Sequence, residues 1–281
     1  MTSPSGARPK RAVILAGGRG TRMQKADASA RLSAAQAAAA DEGSKGMMPV
    51  HGRPFLDFVL SSLGDAGIEE VCVVTPPGGG PIRAHYERTG TRRVSIAFAE
   101  QRSPRGSGDA LLSAEGFAQG GDFVALNSDN LYPVSAIRAL RALDGSGLAV
   151  FEREALLATS NFTRERVDAF AVLQVSADGW LEAIVEKPKD QEAGGRRQEA
   201  GEPVLLSMNL WRFTPAIFEA CREVPLSARG ERELPQAVGW AIARRGERFR
   251  GVPCTEGVLD LSTRADVVEV ERRLDGVEVR A

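Results

Sequence analysis

The first half of the chain alternates short apolar runs with segments in which apolar residues have helical spacing. The apolar runs cover residues 11–16, 71–75, 94–99, 123–126 and 148–151. The helical segments cover residues 54–67, 108–117 and 134–143. Continuous apolar runs are typical of strands that are buried on both faces. Because strands that alternate with helices favour parallel pairing, the sequence predicts an α/β fold with a mostly parallel sheet between two layers of helices.

The second half of the chain has a different pattern. Residues 169–175 and 181–185 flank an Ala-Asp-Gly turn, and this arrangement predicts a β-hairpin. A further strand is predicted at residues 204–213, after a polar, Gly-rich stretch at 188–203 that predicts a flexible loop. Helices are predicted at residues 215–221, 234–245 and 263–274.

The near balance of charge excludes several classes of partner. The chain has 36 Lys and Arg residues against 37 Asp and Glu residues, which gives a formal net charge of −1. Such a chain has no general electrostatic attraction to nucleic acids or anionic membranes. No apolar run approaches the roughly 20 residues of a membrane span, and residues 1–11 lack the apolar stretch of a secretory signal. We therefore expect a cytoplasmic protein that binds neither nucleic acid nor membrane, and the sequence is compatible with a homo-oligomer.

Cysteine and histidine are too sparse for several kinds of site. The three cysteines, Cys72, Cys221 and Cys254, are far apart and form no CxxC pair. The two histidines, His51 and His85, have no metal-ligand spacing. A disulfide scaffold, a zinc site and serine-hydrolase chemistry are therefore not expected.

A glycine-rich loop follows the first predicted strand directly. Residues 15–23 read Leu-Ala-Gly-Gly-Arg-Gly-Thr-Arg-Met. Glycines allow a backbone to approach phosphates closely, and Arg22 can add a charged hydrogen bond. The loop lacks the Lys of a Walker A motif, and it carries Met23 where the dinucleotide-binding fingerprint has its third glycine. Alone, it indicates either a phosphate-binding loop of another class or a plain strand-to-helix turn.

Further motifs follow this loop in order along the chain. They are SKGMMPV at residues 44–50, HGRP at 51–54, QRSPRG at 101–106, Asp129-Asn130, EKP at 186–188 and LDLST at 259–263. Together with the glycine-rich loop, the series resembles the signature of the sugar-phosphate nucleotidyltransferases. The QRSPRG segment resembles the base-reading segment of glucose-1-phosphate thymidylyltransferases. These motifs span about residues 11–270, nearly the whole chain.

The resemblance implies a fold and two halves of the chain that bind different substrates. The implied fold is a three-layer α/β/α, nucleotide-diphospho-sugar transferase-like (Rossmann-like) fold, with a mixed sheet and a sugar-binding β insertion. A single domain, residues 1–281, would contain a nucleotide-binding half at 11–150 and a sugar-phosphate-binding half at 151–270.

The implied reaction joins a nucleoside triphosphate to a sugar 1-phosphate and yields an NDP-sugar and pyrophosphate. The attacking phosphate oxygen is already ionised near neutral pH, so catalysis needs positioning and charge neutralisation rather than a nucleophilic side chain. The match at residues 101–106 favours dTTP or UTP. The alternatives are GTP with mannose 1-phosphate, a cyclitol phosphate as acceptor, a cytidylyltransferase for a non-sugar alcohol phosphate, and a catalytically inactive nucleotide-sugar sensor.

The resemblance assigns the phosphates to three cations. Arg22 would hold the β- and γ-phosphates, Lys45 would stabilise the α-phosphate, and Lys187 would bind the phosphate of the sugar. Gln101 would pair with the edge of the base, since an amide offers both a donor and an acceptor. The residues expected to bind the nucleotide are Leu15, Gly17, Gly18, Gly20, Thr21, Gln101 and Gly106.

Two carboxylates and two sugar-binding residues complete the implied site. Asp129 and Asp260 both follow apolar runs, so we expect them at the carboxyl ends of strands, where α/β sheets bind ligands. Carboxylate oxygens suit Mg²⁺ when phosphate oxygens complete its ligand shell, and Mg²⁺ is the implied cofactor. Glu186 and Asn209 would bind the sugar.

One segment departs from the family pattern. Residues 24–43 are longer and richer in Ala than the short segment usual between the glycine-rich loop and the lysine motif. Because Ala favours helix, part of residues 26–43 is predicted to be helical. The weak apolar face of this segment indicates a mobile flap over the triphosphate rather than a part of the core.

Overall fold

The computed structural model describes residues 8–18, 20–28, 30–185 and 203–280. Glu186, Lys187 and residues 188–202 of the predicted flexible loop lie outside the described residues.

Thirteen strands are described. They are β1 (Arg11–Leu15), β2 (Pro49–Val50), β3 (Arg53–Pro54), β4 (Glu70–Thr75), β5 (Ser95–Glu100), β6 (Phe123–Asn127), β7 (Asn130–Leu131), β8 (Gly147–Glu152), β9 (Val172–Val175), β10 (Leu181–Val185), β11 (Leu205–Phe213), β12 (Arg250–Cys254) and β13 (Leu259–Asp260). Every strand that the sequence predicted is present close to its predicted bounds. Four of the strands that the sequence did not predict, β2, β3, β7 and β13, have two residues each, which leaves too few residues for a recognisable pattern. The fifth, β12, has the sequence RGVPC, in which Gly and Pro interrupt the apolar pattern of a strand.

Twelve α-helices are described. They are α1 (Thr21–Gln24), α2 (Ala34–Glu42), α3 (Phe55–Asp65), α4 (Gly80–Thr89), α5 (Ser107–Leu112), α6 (Glu115–Ala118), α7 (Val134–Arg141), α8 (Arg153–Thr159), α9 (Arg164–Asp168), α10 (Ala216–Glu223), α11 (Leu234–Arg245) and α12 (Asp266–Arg273). The helix predicted at residues 108–117 is divided into α5 and α6. None of the described helices is long and apolar enough to cross a membrane.

The main sheet has nine strands and mixed pairing. Its central order is β10-β9-β11-β6-β1-β4-β5, with β8 on β11 and β12 on β8. Strand β1 runs parallel to β4 and β6, and β5 runs parallel to β4. Strand β11 is antiparallel to β6 and β8, and the predicted hairpin of β9 and β10 extends the sheet beyond it. The predicted α/β fold, with a mixed sheet and a β insertion in its second half, is confirmed.

The side chains of β1 alternate between two apolar cores, as the two-residue period of a strand requires. Ile14 belongs to a core that includes residues of α3, α7 and α12. Val13 belongs to a core on the other face, which includes residues of α5, α10 and α11. Helices therefore cover both faces of the sheet, and the ends of the central parallel strands are left for a binding site.

The Ala-rich segment forms the predicted helix α2, but it packs more closely than expected. Ser33 and Gln36 form a reciprocal capping box at the start of α2. Gln36 Nε2 also donates to the carbonyl oxygen of Pro49 at 3.1 Å and to Glu271 Oε1 at 2.8 Å. Both Gln36 and Ala40 are buried. The weak apolar face predicts little packing, whereas in the structure the hydrogen bonds of Gln36, an ion pair between Asp41 and Arg264, and the burial of Ala40 hold this helix in place.

Candidate active site

A cleft of about 1040 Å³ opens at the carboxyl ends of β1, β4 and β6. Its lining comes almost wholly from the first half of the chain, with Glu231 as the exception among the described residues. The predicted site residues that line it are Leu15, Gly17, Gly18, Thr21, Lys45, Gln101, Gly106 and Asp129. The sheet therefore gathers motifs that are far apart in sequence at the edge where α/β sheets bind ligands.

The glycine-rich loop contacts the end of helix α2. Gly20 has a φ of 61° and precedes α1, and Gly43 ends α2 with a φ of 70°. A Cβ atom on Gly20 would overlap the carbonyl group of Gly43. Two glycines in the left-handed region thus allow the loop and α2 to touch. Gly20 contacts the end of α2 and does not line the cleft, whereas Gly17 and Gly18 do.

Gly20→Ala is expected to lower the free energy of unfolding by about 2 kcal/mol or more, because it combines a strained backbone with a steric overlap. Urea unfolding measures this loss. Gly239→Ala in α11 is the matched control, since a Cβ atom there meets open space and alanine favours a helix over glycine. Equal stability of the two variants would contradict the contact between the loop and α2.

Gln101 is held beside the glycine-rich loop, and its amide oxygen faces Gly17 of that loop. The residue is buried, and its Nε2 donates to the carbonyl oxygen of Gly106 at 3.0 Å and to Asp109 Oδ2 at 3.1 Å. Because both partners can only accept, the amide nitrogen is committed to them. Oε1 faces Gly17, where a Cβ atom would lie 2.8 Å from it. Gln101 can therefore offer a hydrogen-bond acceptor to a ligand in the cleft.

The charged loop at residues 224–233, between α10 and α11, lies at the end of the cleft where Gln101 and Gly106 are found. The sequence analysis did not identify this loop. The backbone N–H of Arg232 donates to Arg105 at 2.7 Å, and that of Gly108 donates to Arg232 at 2.8 Å. Gly106 has a φ of 96°, and a Cβ atom on it would overlap the carbonyl group of Arg232. Glu231 lines the cleft. The density of charge between α10 and α11 is the sequence signal that could have identified this loop.

Lys45 and Asp129 form an ion pair in the wall of the cleft. Lys45 Nζ lies 2.7 Å from Asp129 Oδ2, and the two side chains are only 16% and 19% exposed. Partial shielding from water makes such a pair stronger than an ordinary surface pair. Because both residues line the cleft, an entering anion can replace one partner and an entering cation can replace the other.

Asp260 lies next to Asp129 but not on the surface of the cleft. Strand β13 pairs with β7, which sets Asp260 opposite Asn130, and the N–H of Leu261 donates to the carbonyl oxygen of Asp129 at 2.9 Å. Asn130 Nδ2 donates to Asp260 Oδ1 at 2.8 Å, and Arg166 donates to Oδ2. Burial and then the charge of Asp129 raise the pKa of Asp260, while Arg166 opposes this rise. The second predicted metal carboxylate is thus close to the first but already hydrogen-bonded.

The remaining predicted residues lie outside the cleft or outside the described residues. Arg22 is exposed on α1 and is not among the residues that line the cleft. Asn209 has a φ of 56° and lines a smaller cavity of about 130 Å³, which shares Leu15 with the cleft. Glu186 and Lys187 belong to the part of the chain that the structure does not describe.

The cysteines are unsuited to covalent catalysis. Cys72, Cys221 and Cys254 are all buried. Burial raises the pKa of Cys72 and of Cys221 to about 12. Such thiols stay protonated near neutral pH and are therefore poor nucleophiles. The chemistry available in the cleft is that of charge and positioning.

Comparison with known proteins agrees with this arrangement. The model of the nucleotidyl transferase family matches residues 11–248. The chain belongs to this family. The matched region of this nucleotidyl transferase includes the glycine-rich loop, Lys45, Gln101 and Asp129, whereas Asp260 lies beyond it.

Curated relatives of this nucleotidyl transferase match nearly the whole chain. A UTP–glucose-1-phosphate uridylyltransferase of Haloferax volcanii is 29% identical over 268 residues, which cover 94% of this chain and 96% of the relative. A glucose-1-phosphate thymidylyltransferase of Mycolicibacterium smegmatis is 25% identical over 275 residues, which cover 94% of this chain and 85% of the relative. The crystal structure of a UDP-glucose pyrophosphorylase complexed with UDP-glucose has a TM-score of 0.72 at 18% identity, and covers 96% of this chain and 100% of that one. The last likeness supports the fold.

Nucleotidyl transferases of this family generally use a divalent metal ion. Within the described ranges, no group of three or more His, Cys, Asp or Glu side chains could hold a metal ion. Asp129 and Asp260 nevertheless supply carboxylate oxygens from neighbouring segments, and Asp129 is open to the cleft. This donor set fits a divalent ion that takes its remaining ligands from water and substrate phosphates.

Proposed function

We propose that this nucleotidyl transferase condenses a nucleoside triphosphate with a sugar 1-phosphate and releases pyrophosphate. The cleft is the observation that supports this most, because it surrounds one volume with a glycine-rich loop, a lysine, a carboxylate and a buried amide. The Haloferax and Mycolicibacterium relatives are both named as enzymes of glucose 1-phosphate. Glucose 1-phosphate is therefore our first choice of sugar substrate.

We assign the base to the pocket beside Gln101. Since Nε2 is committed to Gly106 and Asp109, Oε1 remains as the group that can meet a base. This acceptor complements the N3–H group of uracil or thymine, whereas cytosine has no hydrogen at N3 and offers its N4 amino group as a donor instead. The geometry thus supports UTP or dTTP without excluding CTP, so the cytidylyltransferase alternative stays open to the test below. Guanine also offers an N–H donor, so GTP remains the second nucleotide to test.

Gln101→Ala is expected to reduce the preference for UTP or dTTP over CTP by about tenfold, since one buried hydrogen bond is lost. The measurement is the ratio of kcat/KM values for the nucleotides at a fixed sugar phosphate. Gln236→Ala, which changes an exposed glutamine on α11, is the control and should keep the wild-type ratio. An unchanged nucleotide ranking in Gln101→Ala would contradict the assignment of the base.

We assign the triphosphate to the glycine-rich loop and Lys45. Gly17, Gly18 and Thr21 line the cleft, and the backbone N–H groups of such a loop can bind phosphate oxygens. Lys45 would stabilise the charge that develops on the α-phosphate during in-line attack. Arg22, exposed on α1, remains the proposed partner of the β- and γ-phosphates. The attacking oxygen is already ionised, so the step requires no basic side chain.

We propose that Mg²⁺ is the metal and that Asp129 and Asp260 hold it. When bound, Mg²⁺ would neutralise charge on the phosphates of the two substrates. Asp129 faces the cleft, and its present partner, Lys45, is a cation that the triphosphate can attract away. Asp260 lies directly behind it on β13 and would complete the protein's share of the ligands.

We propose that residues 11–150 form the nucleotide-binding half and residues 151–270 the sugar-phosphate-binding half. The cleft lining comes almost wholly from the first half. Asn209, from the second half, lines the adjoining cavity and is the proposed sugar contact there. Glu186 remains a proposed acceptor for sugar hydroxyls, and Lys187 remains the proposed partner of the sugar phosphate.

Lys187→Ala is expected to raise the KM for the sugar 1-phosphate about tenfold and to change the KM for the nucleotide little, because a charged hydrogen bond to one substrate is lost. Steady-state kinetics with each substrate varied in turn measures the two effects. Lys10→Ala is the control, since Lys10 pairs with exposed Glu69. Equal losses for both substrates would contradict the role of Lys187.

Pyrophosphate release tests the proposed function. UTP, dTTP, GTP and CTP are each combined with glucose 1-phosphate, mannose 1-phosphate and a cyclitol phosphate, with Mg²⁺ or with a chelator. We expect the fastest release from UTP or dTTP with glucose 1-phosphate, and none with the chelator. Fastest release from GTP with mannose 1-phosphate would favour that alternative. Nucleotide-sugar binding without release from any pair would favour an inactive sensor and overturn the proposal.

A further inference from the structure

Arg166 bridges two buried carboxylates beside the cleft. It lies on α9, and its guanidinium group donates to Asp260 Oδ2 and to Asp266 Oδ1, the latter at 2.7 Å. The side chains of Asp260 and Asp266 are each 8% exposed, and that of Arg166 is 20% exposed. The guanidinium carbon also lies 5.1 Å from the ring centroid of Phe162. These contacts hold the arginine firmly between the two carboxylates.

The rest of Asp260 is fixed from the same side. Its backbone N–H donates to Asn161 Oδ1 at 2.8 Å, and Asn161 Nδ2 donates to its carbonyl oxygen at 2.8 Å. Asn130 Nδ2 donates to Asp260 Oδ1 at 2.8 Å. The stretch that carries Asn161 and Arg166 therefore orients both the backbone and the carboxylate of Asp260. A carboxylate oxygen can accept more than one bond, so this arrangement still leaves room for a further ligand.

The charge balance around Asp260 depends on Arg166. Asp129 and Asp266 both act on Asp260 as neighbouring negative charges. Asp266 is already engaged at its other oxygen, where Oδ2 accepts from backbone N–H groups just before α12. A buried carboxylate is costly unless a cation compensates it. A divalent ion bound at Asp129 and the guanidinium of Arg166 are thus two cations, and either can compensate the negative charge of Asp260.

We propose that Arg166 is a positioning residue for Asp260 and that it competes with the divalent metal ion for this carboxylate. The proposal rests on the metal-binding roles proposed above for Asp129 and Asp260. Without nucleotide, Arg166 neutralises Asp260 and keeps the metal affinity of the protein low. A bound triphosphate adds oxygen ligands next to Asp129 and offsets the competition, so metal and nucleotide load together.

Mn²⁺ binding to the nucleotide-free, full-length protein tests this proposal, with free Mn²⁺ measured by electron paramagnetic resonance. Arg166→Gln is expected to tighten binding about tenfold, because the competing charge in contact with Asp260 is gone. The variant is also expected to melt at a lower temperature than the wild type, and Mn²⁺ should recover part of this loss. Arg153→Gln is the matched control, since Arg153 pairs at 3.5 Å with Asp168, which is half exposed. The control should leave Mn²⁺ binding unchanged.

Two further variants make the test decisive. Adding Asp260→Asn to Arg166→Gln should abolish the gain in affinity, and a gain that persists in the double variant would overturn the proposal. Unchanged or weaker Mn²⁺ binding by folded Arg166→Gln would also overturn it. If that variant does not fold, Arg166→Lys keeps one charge but cannot bridge both carboxylates, and it should tighten binding about threefold. Unchanged binding by Arg166→Lys would then count against the proposal.

Two separate measurements distinguish the role of Arg166 from the proposed reaction. Pyrophosphate release by the wild-type protein tests the function without reference to Arg166. If release is observed but Mn²⁺ binding does not respond to Arg166→Gln, only the role of Arg166 is wrong. If Mn²⁺ binding responds but no substrate pair gives pyrophosphate, the proposed reaction is wrong and the role of Arg166 stands.

Discussion

Asp129→Asn is expected to lower kcat/KM for NDP-sugar formation about a thousandfold, because it removes the charge with which the cleft would hold a metal ion. Asparagine has nearly the same size and can still accept a hydrogen bond, so the fold should survive. The variant should also need more Mg²⁺ to reach half of its maximal rate. The carboxylate lines the cleft and lies 2.7 Å from Lys45, so its loss affects the reacting groups directly.

The measurement is a Mg²⁺ titration of pyrophosphate release, with an unfolding curve to establish that the variant is folded. Asp144→Asn is the matched control, since Asp144 is exposed in a turn before β8. We expect the control to show the wild-type Mg²⁺ requirement. A near-normal rate for Asp129→Asn at the same Mg²⁺ concentration would remove Asp129 from the metal site.

Lys45→Met is expected to lower kcat by about a hundredfold or more, because the charge that develops on the α-phosphate loses its closest cation. The Mg²⁺ requirement should stay the same or fall, since Asp129 no longer has a lysine partner to exchange. The expected change in the Mg²⁺ requirement is thus opposite to that of Asp129→Asn, although both variants slow the reaction and the two side chains form one ion pair. The pair of variants therefore separates a phosphate-binding cation from a metal-binding carboxylate.

Steady-state kinetics at saturating substrates, repeated across a range of Mg²⁺ concentrations, measures these effects. Lys10→Met is the control, because Lys10 lies in an exposed ion pair with Glu69. Lys45→Arg should recover only part of the rate, because a guanidinium group differs from an ammonium group in size and geometry. A normal kcat together with a raised Mg²⁺ requirement in Lys45→Met would show that Lys45 serves the metal site rather than the phosphate.

The strands and most helices could be predicted from the sequence because their signals are local. The apolar run at residues 71–75 corresponds to β4, and the helical spacing at 54–67 corresponds to α3. The positions of the motifs also indicated which strand ends carry polar residues. Since parallel strands end at one edge of a sheet, Gln101 and Asp129 could be expected at the same cleft, and both line it.

The contacts that hold the site together could not be predicted, because each depends on residues that are distant in sequence. Gly20 and Gly43 are adjacent only because α2 folds back on the loop. Arg166 meets Asp260 across 94 positions, and nothing in the local sequence of α9 indicates a buried ion pair. Gln36 bonds from α2 to Pro49 and Glu271, although an amide in an Ala-rich helix usually indicates a solvent-exposed face.

The central claim is that one cleft aligns the nucleotide and the sugar phosphate through Gln101, the glycine-rich loop, Lys45 and Asp129. A crystal structure with UDP-glucose and Mg²⁺ tests it most directly. We predict that the base lies within hydrogen-bond distance of Gln101 Oε1, that the α-phosphate contacts Lys45 Nζ, and that the sugar extends towards residues 151–270. A diphosphate bound outside this cleft, or inside it without contact to Lys45 and Gln101, would contradict the claim.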